Sequence, residues 1–384
     1  MDFEEILRAA LRSDASDVVL KVGSPPGVRI HGDLLPLPDA EPLTADDMQA
    51  AADAVLDDYH RRRFANDLQA DLAYETAELG RFRVNLFRQR GQLSMVIRVI
   101  QAHIRSVGEL NLPPVVERIA AERRGLVLVT GTTGSGKSTT LAAMIDYINA
   151  TRRSHIITIE DPIEYTHTDQ LCYVNQREVG YDAVSFPSAL KSALRENPDI
   201  ILVGEMRDLE TIETAIMAAE TGHLVLSTLH TLDAPETITR VISAFPEHQR
   251  DQVRQILASI LKGIVSQRLL PRATGFGMVP AVEVLVSTAR VREYIADKDK
   301  LRDLREVIAQ GSTTYGMQTF DQSLMALLKN NLISQDEALA NATNPADFEL
   351  KLRGIGSASD SRWDNFETRG GIEPTKPRVE IERF

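Results

Sequence analysis

The segment Gly131–Ser138 contains the residues whose types and spacing have the clearest chemical meaning. It reads Gly131-Thr132-Thr133-Gly134-Ser135-Gly136-Lys137-Ser138 and matches the phosphate-loop pattern G-x-x-x-x-G-K-[ST] at every fixed position. Its glycines let the backbone wrap closely round a phosphate, so that N–H groups and a helix N-terminus face the anion. Lys137 would add a cation at the β- and γ-phosphates, and Ser138 a hydroxyl for Mg²⁺. The segment, with Thr139 after it, predicts a nucleoside triphosphate site.

The elements around this loop read as a parallel α/β sheet. Apolar runs occupy residues 126–130, 156–159, 200–203 and 224–227, with helical patterns between them. Short apolar runs alternating with helices are typical of strands buried on both faces of a parallel sheet. Such sheets bind ligands at the carboxyl ends of their strands, where the phosphate loop also lies. We therefore expect the residues that follow these runs to converge on one site.

Three acidic residues and a histidine follow these strands. Glu160 and Asp161 end one run, Glu205 ends another after Gly204, and His230 lies beyond a third. Glu205 suits general-base or water-orienting work at the γ-phosphate, although an acid that caps a turn has the same pattern. A turn cap is likewise the alternative for Glu160 and Asp161.

His223 and His230 do not form a metal pair. Seven residues of extended chain span ~20 Å, so the two side chains cannot reach one ion. His230 is the candidate γ-phosphate sensor, and His223 is either structural or interfacial.

Arginines are concentrated in a predicted hairpin over residues 80–100. Alternation places Arg81, Arg83 and Asn85 on one strand face, and Arg88 and Arg98 follow in the same hairpin. A solvated strand face would explain this pattern. The functional alternative is an arginine supplied to a phosphate across an interface, which accelerates phosphoryl transfer by ~10³–10⁵ in well-studied cases.

Composition excludes several classes of protein. The chain has 384 residues, a formal net charge of −12 and one cysteine, Cys172. The charge argues against general nucleic-acid binding, and one cysteine cannot form a disulfide framework or a four-cysteine zinc module. No apolar run reaches the ~18–20 residues that span a bilayer, and the acidic N-terminus is unlike a signal peptide. We expect a soluble intracellular protein with no transmembrane segment.

The pattern predicts an α+β domain at 1–100, a linker at 101–113, a parallel α/β core with the phosphate loop at 114–290, a helical region at 291–355 and a mobile tail at 356–384. Helices are expected at 3–11, 44–68, 291–309, 320–329 and 334–341. Strands of the first domain are expected at 18–22, 28–30, 80–87 and 91–100.

Beyond these patterns, the chain resembles the secretion-type ATPases, and within them the twitching-motility motors that retract type IV pili, the PilT/PilU family. The resemblance covers about residues 1–352. It rests on the phosphate loop, the hairpin start at 80–85, the acidic box at 158–164, the stretch Leu202–Thr211, the histidine box at 219–231 and the late signature Gly316-Met317-Gln318-Thr319-Phe320-Asp321-Gln322.

The resemblance implies a PAS-like N-terminal domain, a RecA-like P-loop ATPase domain and a homohexameric ring that hydrolyses ATP with Mg²⁺ to retract a pilus. Glu205 would be the catalytic glutamate, Glu160 and Asp161 members of the acidic box, and His223 and His230 the histidine box. Arginine fingers would come from Arg81, Arg83, Arg88 or Arg98. The ring would be cytoplasmic and peripheral at the inner membrane. Its partners would be an inner-membrane pilus platform protein and a sibling retraction ATPase, with no direct contact to nucleic acid.

Several alternatives remain open on the sequence. The family's retraction-linked segment is matched only weakly at residues 294–299, which leaves the choice between the two sibling motors open. An assembly or type II secretion ATPase is the second hypothesis, although those chains commonly carry a four-cysteine zinc element. A RecA-like nucleic-acid motor and a scaffold that binds ATP without turnover are the others.

Overall fold

The computed structural model describes residues 2–13, 15–30, 33–100 and 103–353. The chain forms two compact units. The first contains the chain up to Ile104 together with Pro162–Thr168, and the second contains the remainder of the described chain. The predicted tail at 356–384 and positions 101–102 of the predicted linker lie outside the described residues. The other predicted boundaries, at 113, 290 and 355, stay predictions.

The first unit is an antiparallel sheet covered by helices. Its elements are, in chain order, α1 Phe3–Arg12, β1 Asp17–Lys21, β2 Gly27–Ile30, β3 Asp33–Pro36, α2 Ala45–Val55, α3 Asp58–Asp67, β4 Gln69–Thr76, β5 Gly80–Gln89 and β6 Gln92–Val99. The strand order is β3-β2-β1-β6-β5-β4. On β5 the side chains of Phe82, Val84 and Leu86 enter the core, and the residues between them are only half-buried. The expected period-2 alternation is therefore present.

One expected long helix is in fact two. The pattern at 44–68 predicted a single helix, but the chain is extended at Leu56 and restarts as α3. The carboxylate of Asp57 accepts a hydrogen bond of 2.8 Å from the His60 backbone N–H. An aspartate at this position caps a new helix, which periodicity alone does not reveal.

The second unit is built on a seven-stranded sheet. Its strands are β7 Gly125–Thr130, β8 His155–Glu160, β9 Tyr173–Glu178, β10 Ile200–Val203, β11 Leu224–Leu229, β12 Leu261–Pro271 and β13 Met278–Val286. Its helices are α4 Val115–Ala120, α5 Lys137–Thr151, α6 Phe186–Ala193, α7 Leu209–Glu220, α8 Ala234–Ser243, α9 Arg250–Ile260, α10 Ala289–Ala296, α11 Leu304–Gln310, α12 Ser312–Tyr315, α13 Phe320–Lys329, α14 Gln335–Asn341 and α15 Pro345–Leu352. The strand order is β13-β12-β7-β11-β10-β8-β9, and all pairs are parallel except β12–β13.

The central strands are buried on both faces of this sheet. Every residue of β7, β10 and β11 is buried. Leu126 and Leu128 of β7 face one hydrophobic core, and Val127 and Val129 face the other. This two-sided burial explains the continuous apolar runs in the sequence and confirms the predicted parallel sheet.

The edge of the sheet differs from the expectation. The strands β12 and β13 form an antiparallel hairpin that the sequence pattern did not single out. A third core joins this hairpin to α13, α14 and α15 through residues such as Leu270, Phe320 and Phe348. The expected helix at 291–309 is interrupted after α10, because the Asp297 side chain accepts from the Asp299 N–H in a turn at 2.9 Å.

Candidate functional site

The phosphate loop lies between β7 and α5, as predicted. Gly131, Gly134 and Gly136 have φ angles of 144°, 78° and 89°, which favour glycine. Gly136 is the N-cap of α5, and no side chain caps that helix. The Lys137 ammonium folds back over the loop and donates to the carbonyl oxygens of Gly131 and Thr132, each at 2.9 Å. Lys137 thus closes the loop on itself, and the glycine at the N-cap gives α5 no side-chain cap.

These groups fit a phosphate. The start of a helix without a capping side chain offers its N–H groups to an anion, and Lys137 supplies a positive charge beside them. The buried Ser135 hydroxyl has no hydrogen-bond partner within the described chain. An open cavity of about 320 Å³ lies along residues 131–135, and residues 267–269 of β12 line its other side. Ser138 stands in the first turn of α5, where its hydroxyl would be the ligand for a Mg²⁺ ion brought by the nucleotide.

Gln267 of β12 contacts the phosphate loop and supports it. The sequence pattern did not predict a role for this residue. Its side chain is 2% exposed, and its amide donates to the Ser135 carbonyl oxygen at 3.3 Å. A Cβ atom built on Gly131 would lie 2.4 Å from the Gln267 carbonyl oxygen, so only glycine fits there. Gln267 and Ser135 are 132 residues apart in sequence, and a glutamine in the mixed polar and apolar pattern of β12 gives no local signal of this contact.

Glu160 and Asp161 lie at the end of β8, and they differ in environment. The Glu160 carboxylate accepts from the Thr158 hydroxyl at 2.6 Å and from the Gln176 amide at 3.3 Å. Asp161 is exposed and contributes to the electrostatic field at Arg207. Their roles in the acidic box stay predictions.

Glu205 and His230 meet at the ends of β10 and β11. One Glu205 carboxylate oxygen lies 3.1 Å from Nε2 of His230, and the other lies 2.8 Å from the Arg207 guanidinium. The Glu205 side chain is 18% exposed, whereas Arg207 is 72% exposed. Burial alone would raise the pKa of Glu205, but the Arg207 hydrogen bond and the neighbouring His230 hold that pKa below its usual range. Glu205 is therefore ionised at neutral pH.

Hydrogen bonds between neighbouring strands fix this pair. The Thr228 hydroxyl donates to the Gly204 carbonyl oxygen at 2.7 Å, and the Met206 N–H donates to the Thr228 carbonyl oxygen at 3.3 Å. Gly204 packs closely against β8, since a Cβ atom built on it would lie 3.2 Å from the Ile159 carbonyl oxygen. Hydrogen bonds and close packing thus hold β8, β10 and β11 in register, and these are the strands that precede the acidic box, Glu205 and His230.

His223 lies at the opposite end of β11 from His230. Its Nδ1 lies 2.9 Å from the Ala218 carbonyl oxygen, next to the C-terminus of α7. The whole length of β11, Leu224–Leu229, separates the two histidines. The structure therefore does not bring His223 to the residues around Glu205.

Three of the four arginine candidates share one face of the first unit's sheet. Arg83 and Arg98 are directly paired across β5 and β6, and Arg81 lies two residues from Arg83 on the same face. Like charges that face each other are unfavourable unless acids intervene. The acids are present on neighbouring strands: Glu75 lies 3.4 Å from Arg81, Asp71 lies 3.9 Å from Arg83, and Asp17 lies 3.0 Å from Arg98.

Arg88 lies on the other face of β5. Its guanidinium is 5.7 Å from the centre of the Phe64 ring of α3, and it donates to the Gly91 carbonyl oxygen at 3.0 Å. Arg81, Arg83 and Arg98 therefore form one group of candidates, and Arg88 stands apart from them.

None of the helices within the described ranges is long and apolar enough to cross a lipid bilayer.

Comparison with known proteins agrees with these features. The family model described as type II/IV secretion system protein matches residues 50–318. The type IV pilus retraction ATPase PilT of Pseudomonas aeruginosa is 44% identical over 348 residues, which cover 91% of this chain and all of that protein. The type IV pilus ATPase PilU of the same organism is 41% identical over 370 residues, 96% of each chain.

A crystal structure of the pilus retraction motor PilT with bound ADP has the same fold. It matches 91% of this chain and 99% of that one, with a TM-score of 0.85 and 46% identity. This likeness confirms the expected fold, an N-terminal α+β domain followed by a RecA-like P-loop domain. The chain is therefore a member of the type II/IV secretion system protein family and, within it, an ATPase of the PilT and PilU kind.

Proposed function

We propose that this chain is a motor of type IV pilus retraction. It forms a homohexameric ring at the cytoplasmic face of the inner membrane, hydrolyses ATP and pulls on the pilus through a membrane platform protein. The proposal is supported by the match to PilT, which extends over that protein's whole length. The observation that carries the enzymatic part is the contact of Glu205 with His230 and Arg207 on the strands beside the phosphate loop.

The phosphate loop provides the binding energy for the nucleotide. Lys137 neutralises phosphate charge, the N-terminus of α5 donates to phosphate oxygens, and Ser138 would take the Mg²⁺ ion. Bound Mg²⁺ would offset the charge that develops on the phosphates during transfer. Support from Gln267 keeps the loop in this shape before the nucleotide arrives, so little reorganisation is required.

Glu205 orients the attacking water. A proton acceptor works best when its pKa is near the working pH, and the pKa of Glu205 is instead held low. A fixed, ionised carboxylate is better suited to hold a water molecule by its protons. His230 and Arg207 are both exposed enough to turn from the carboxylate towards phosphate oxygens when negative charge develops there.

The replacement Glu205→Gln tests this assignment in purified protein. We expect Mg²⁺-dependent turnover of ATP to fall by about a hundredfold or more, with ATP binding preserved, as for loss of one electrostatic catalytic group. The matched control is Glu210→Gln, because Glu210 lies five residues after Glu205 and forms only an exposed ion pair with Lys191. Wild-type turnover in the Glu205 variant would refute the role of this residue.

An arginine from the group Arg81, Arg83 and Arg98 serves as the finger that a neighbouring subunit supplies. Single replacements by alanine should separate the three, because only the finger lowers turnover steeply while leaving ADP binding intact. Arg88→Ala is the comparison from the opposite face of β5. Equal and small effects of all four replacements would exclude these four arginines as the finger.

A cellular test separates retraction from assembly. In the source organism, loss of a retraction motor leaves excess surface pili, whereas loss of an assembly ATPase leaves none. The PilU match, which extends over 96% of this chain, supports a second candidate: a sibling motor that depends on a partner ATPase. Steady-state turnover by the purified protein alone would favour the first candidate, and turnover only with the partner motor would favour the second.

A further inference from the structure

The loop that carries His230 is fastened at the start of α8. Asp233 is the N-cap of that helix, and its carboxylate accepts from the Glu236 N–H at 2.8 Å. The Glu236 side chain accepts from the Leu232 N–H at 2.8 Å, and the Thr231 and Thr237 hydroxyls are 2.7 Å apart. These hydrogen bonds tie the residues after His230 to the first turn of α8, so the position of that turn sets the position of the loop.

A buried glutamate on β13 holds that first turn. Glu283 is 3% exposed, and its carboxylate accepts from the Ala234 N–H at 2.8 Å. A carboxyl group at a helix N-terminus is favourable because it meets free N–H groups and the positive end of the helix dipole. The charged side chains facing it are Asp233, Arg305 and Arg268. Arg305 of α11 also pairs with Asp233 at 2.5 Å, so both acids at the start of α8 are engaged.

The late signature at residues 316–322 fixes the position of Glu283. Gln318 and Val284 exchange two backbone hydrogen bonds, of 2.8 and 3.1 Å. The Gln318 side-chain amide donates to the Val282 carbonyl oxygen at 2.8 Å, and the Val282 N–H donates to the Ser323 hydroxyl at 3.0 Å. Both neighbours of Glu283 in β13 are thus held by the signature and the start of α13.

We propose that Glu283 and Gln318 are positioning residues for ATP hydrolysis, which act by placing the His230 loop against Glu205. The contacts run from the late signature to β13, from Glu283 to the first turn of α8, and from there to His230. The inference rests on the proposed catalytic role of His230 and Glu205.

Steady-state kinetics of Glu283→Ala and Glu283→Gln test the proposal. The alanine variant should lose at least tenfold in kcat while its ADP dissociation constant stays within about twofold of the wild type, because the phosphate loop is untouched. The glutamine variant keeps an acceptor for the Ala234 N–H, so its kcat should be close to that of the wild type. Equal kcat in wild type and the alanine variant would overturn the proposal, and so would a loss of ADP binding equal to the loss in kcat.

A second pair of variants keeps the test valid if Glu283→Ala does not fold. Gln318→Ala removes the donor to Val282 and leaves Glu283 in place, so a several-fold loss in kcat is expected. Gln255→Ala is the matched control, because this α9 glutamine also donates to a backbone carbonyl, that of Ala296, and lies outside the proposed chain of contacts. Equal kcat in the two glutamine variants would count against the signature's role.

A double variant separates this inference from the proposed function. If Glu283 acts through His230, then Glu283→Ala combined with His230→Ala should be no slower than His230→Ala alone. Multiplying effects would overturn the inference. Wild-type turnover in His230→Ala would instead overturn the proposed role of His230.

Discussion

Gly131→Ala should distort the phosphate loop more than glycine-to-alanine replacement at any other position in the loop. The φ angle of 144° lies where an alanine costs about 1–3 kcal/mol of backbone strain. The new Cβ atom would also lie 2.4 Å from the Gln267 carbonyl oxygen and 2.5 Å from the Ser135 hydroxyl. Strand β12 is fixed on both sides in the sheet, so the loop must move instead. We expect a total cost of at least about 3 kcal/mol, or more than a hundredfold in the ADP dissociation constant.

Gly134→Ala in the same loop is the matched control. Gly134 also has a positive φ, 78°, but a Cβ atom there would meet nothing within 4 Å. Its strain of about 1–2 kcal/mol predicts only a 5- to 30-fold weaker binding of ADP. Titration calorimetry with ADP measures both variants, and thermal unfolding shows whether each has folded. Equal affinities for the two variants would refute the argument that the contact with Gln267 shapes the loop.

Three further predictions concern stability, each measured by thermal unfolding at one protein concentration. Burial raises the pKa of Glu283 from 4.5 to about 7, so its stabilising contribution is complete below pH 4.5 and is lost as the pH rises through 7. Glu283→Gln should therefore gain up to about 3 kcal/mol over the wild type between pH 4.5 and 8, and a pH-independent difference would contradict this. Thr319→Ala removes a capping box from α13 and should cost about 1 kcal/mol; no change in midpoint would show that the cap is dispensable. Phe82→Ala empties a fully buried position and should cost about 3–5 kcal/mol in the first unit, whereas a loss below 1 kcal/mol would mean that this core collapses around the cavity.

Much of the fold and site could be predicted because the signals are local. A strand buried on both faces must be apolar along its whole length, so β7, β10 and β11 could be predicted from their continuous apolar runs. The phosphate loop could be predicted because its glycines with positive φ, its lysine and the start of α5 follow one another directly along the chain. The residues Glu205 and His230 followed from the rule that parallel strands end at one edge, and their contact at 3.1 Å agrees with it.

Other features could not be predicted because competing interactions decide them. The helix break after Leu56 depends on whether Asp57 caps a new helix or stays on the surface of an old one. The paired strands β12 and β13 contain polar residues at buried positions, such as Ser266, Gln267 and Glu283. Their sequence pattern therefore resembles neither a fully buried nor a half-buried strand. Their burial makes sense only once the partners of those polar groups are known.

The sequence by itself determined that this chain carries a phosphate loop and which strands end at the same edge of the sheet, because those properties reside in residues adjacent along the chain. Only the tertiary structure decided that Gln267 contacts the phosphate loop, that Arg98 of β6 lies beside Arg83 on the same face of the sheet, and that Glu283 accepts from the first turn of α8. The physical reason is that a buried polar group must find its partner wherever the fold brings one, and here the partners come from distant parts of the sequence.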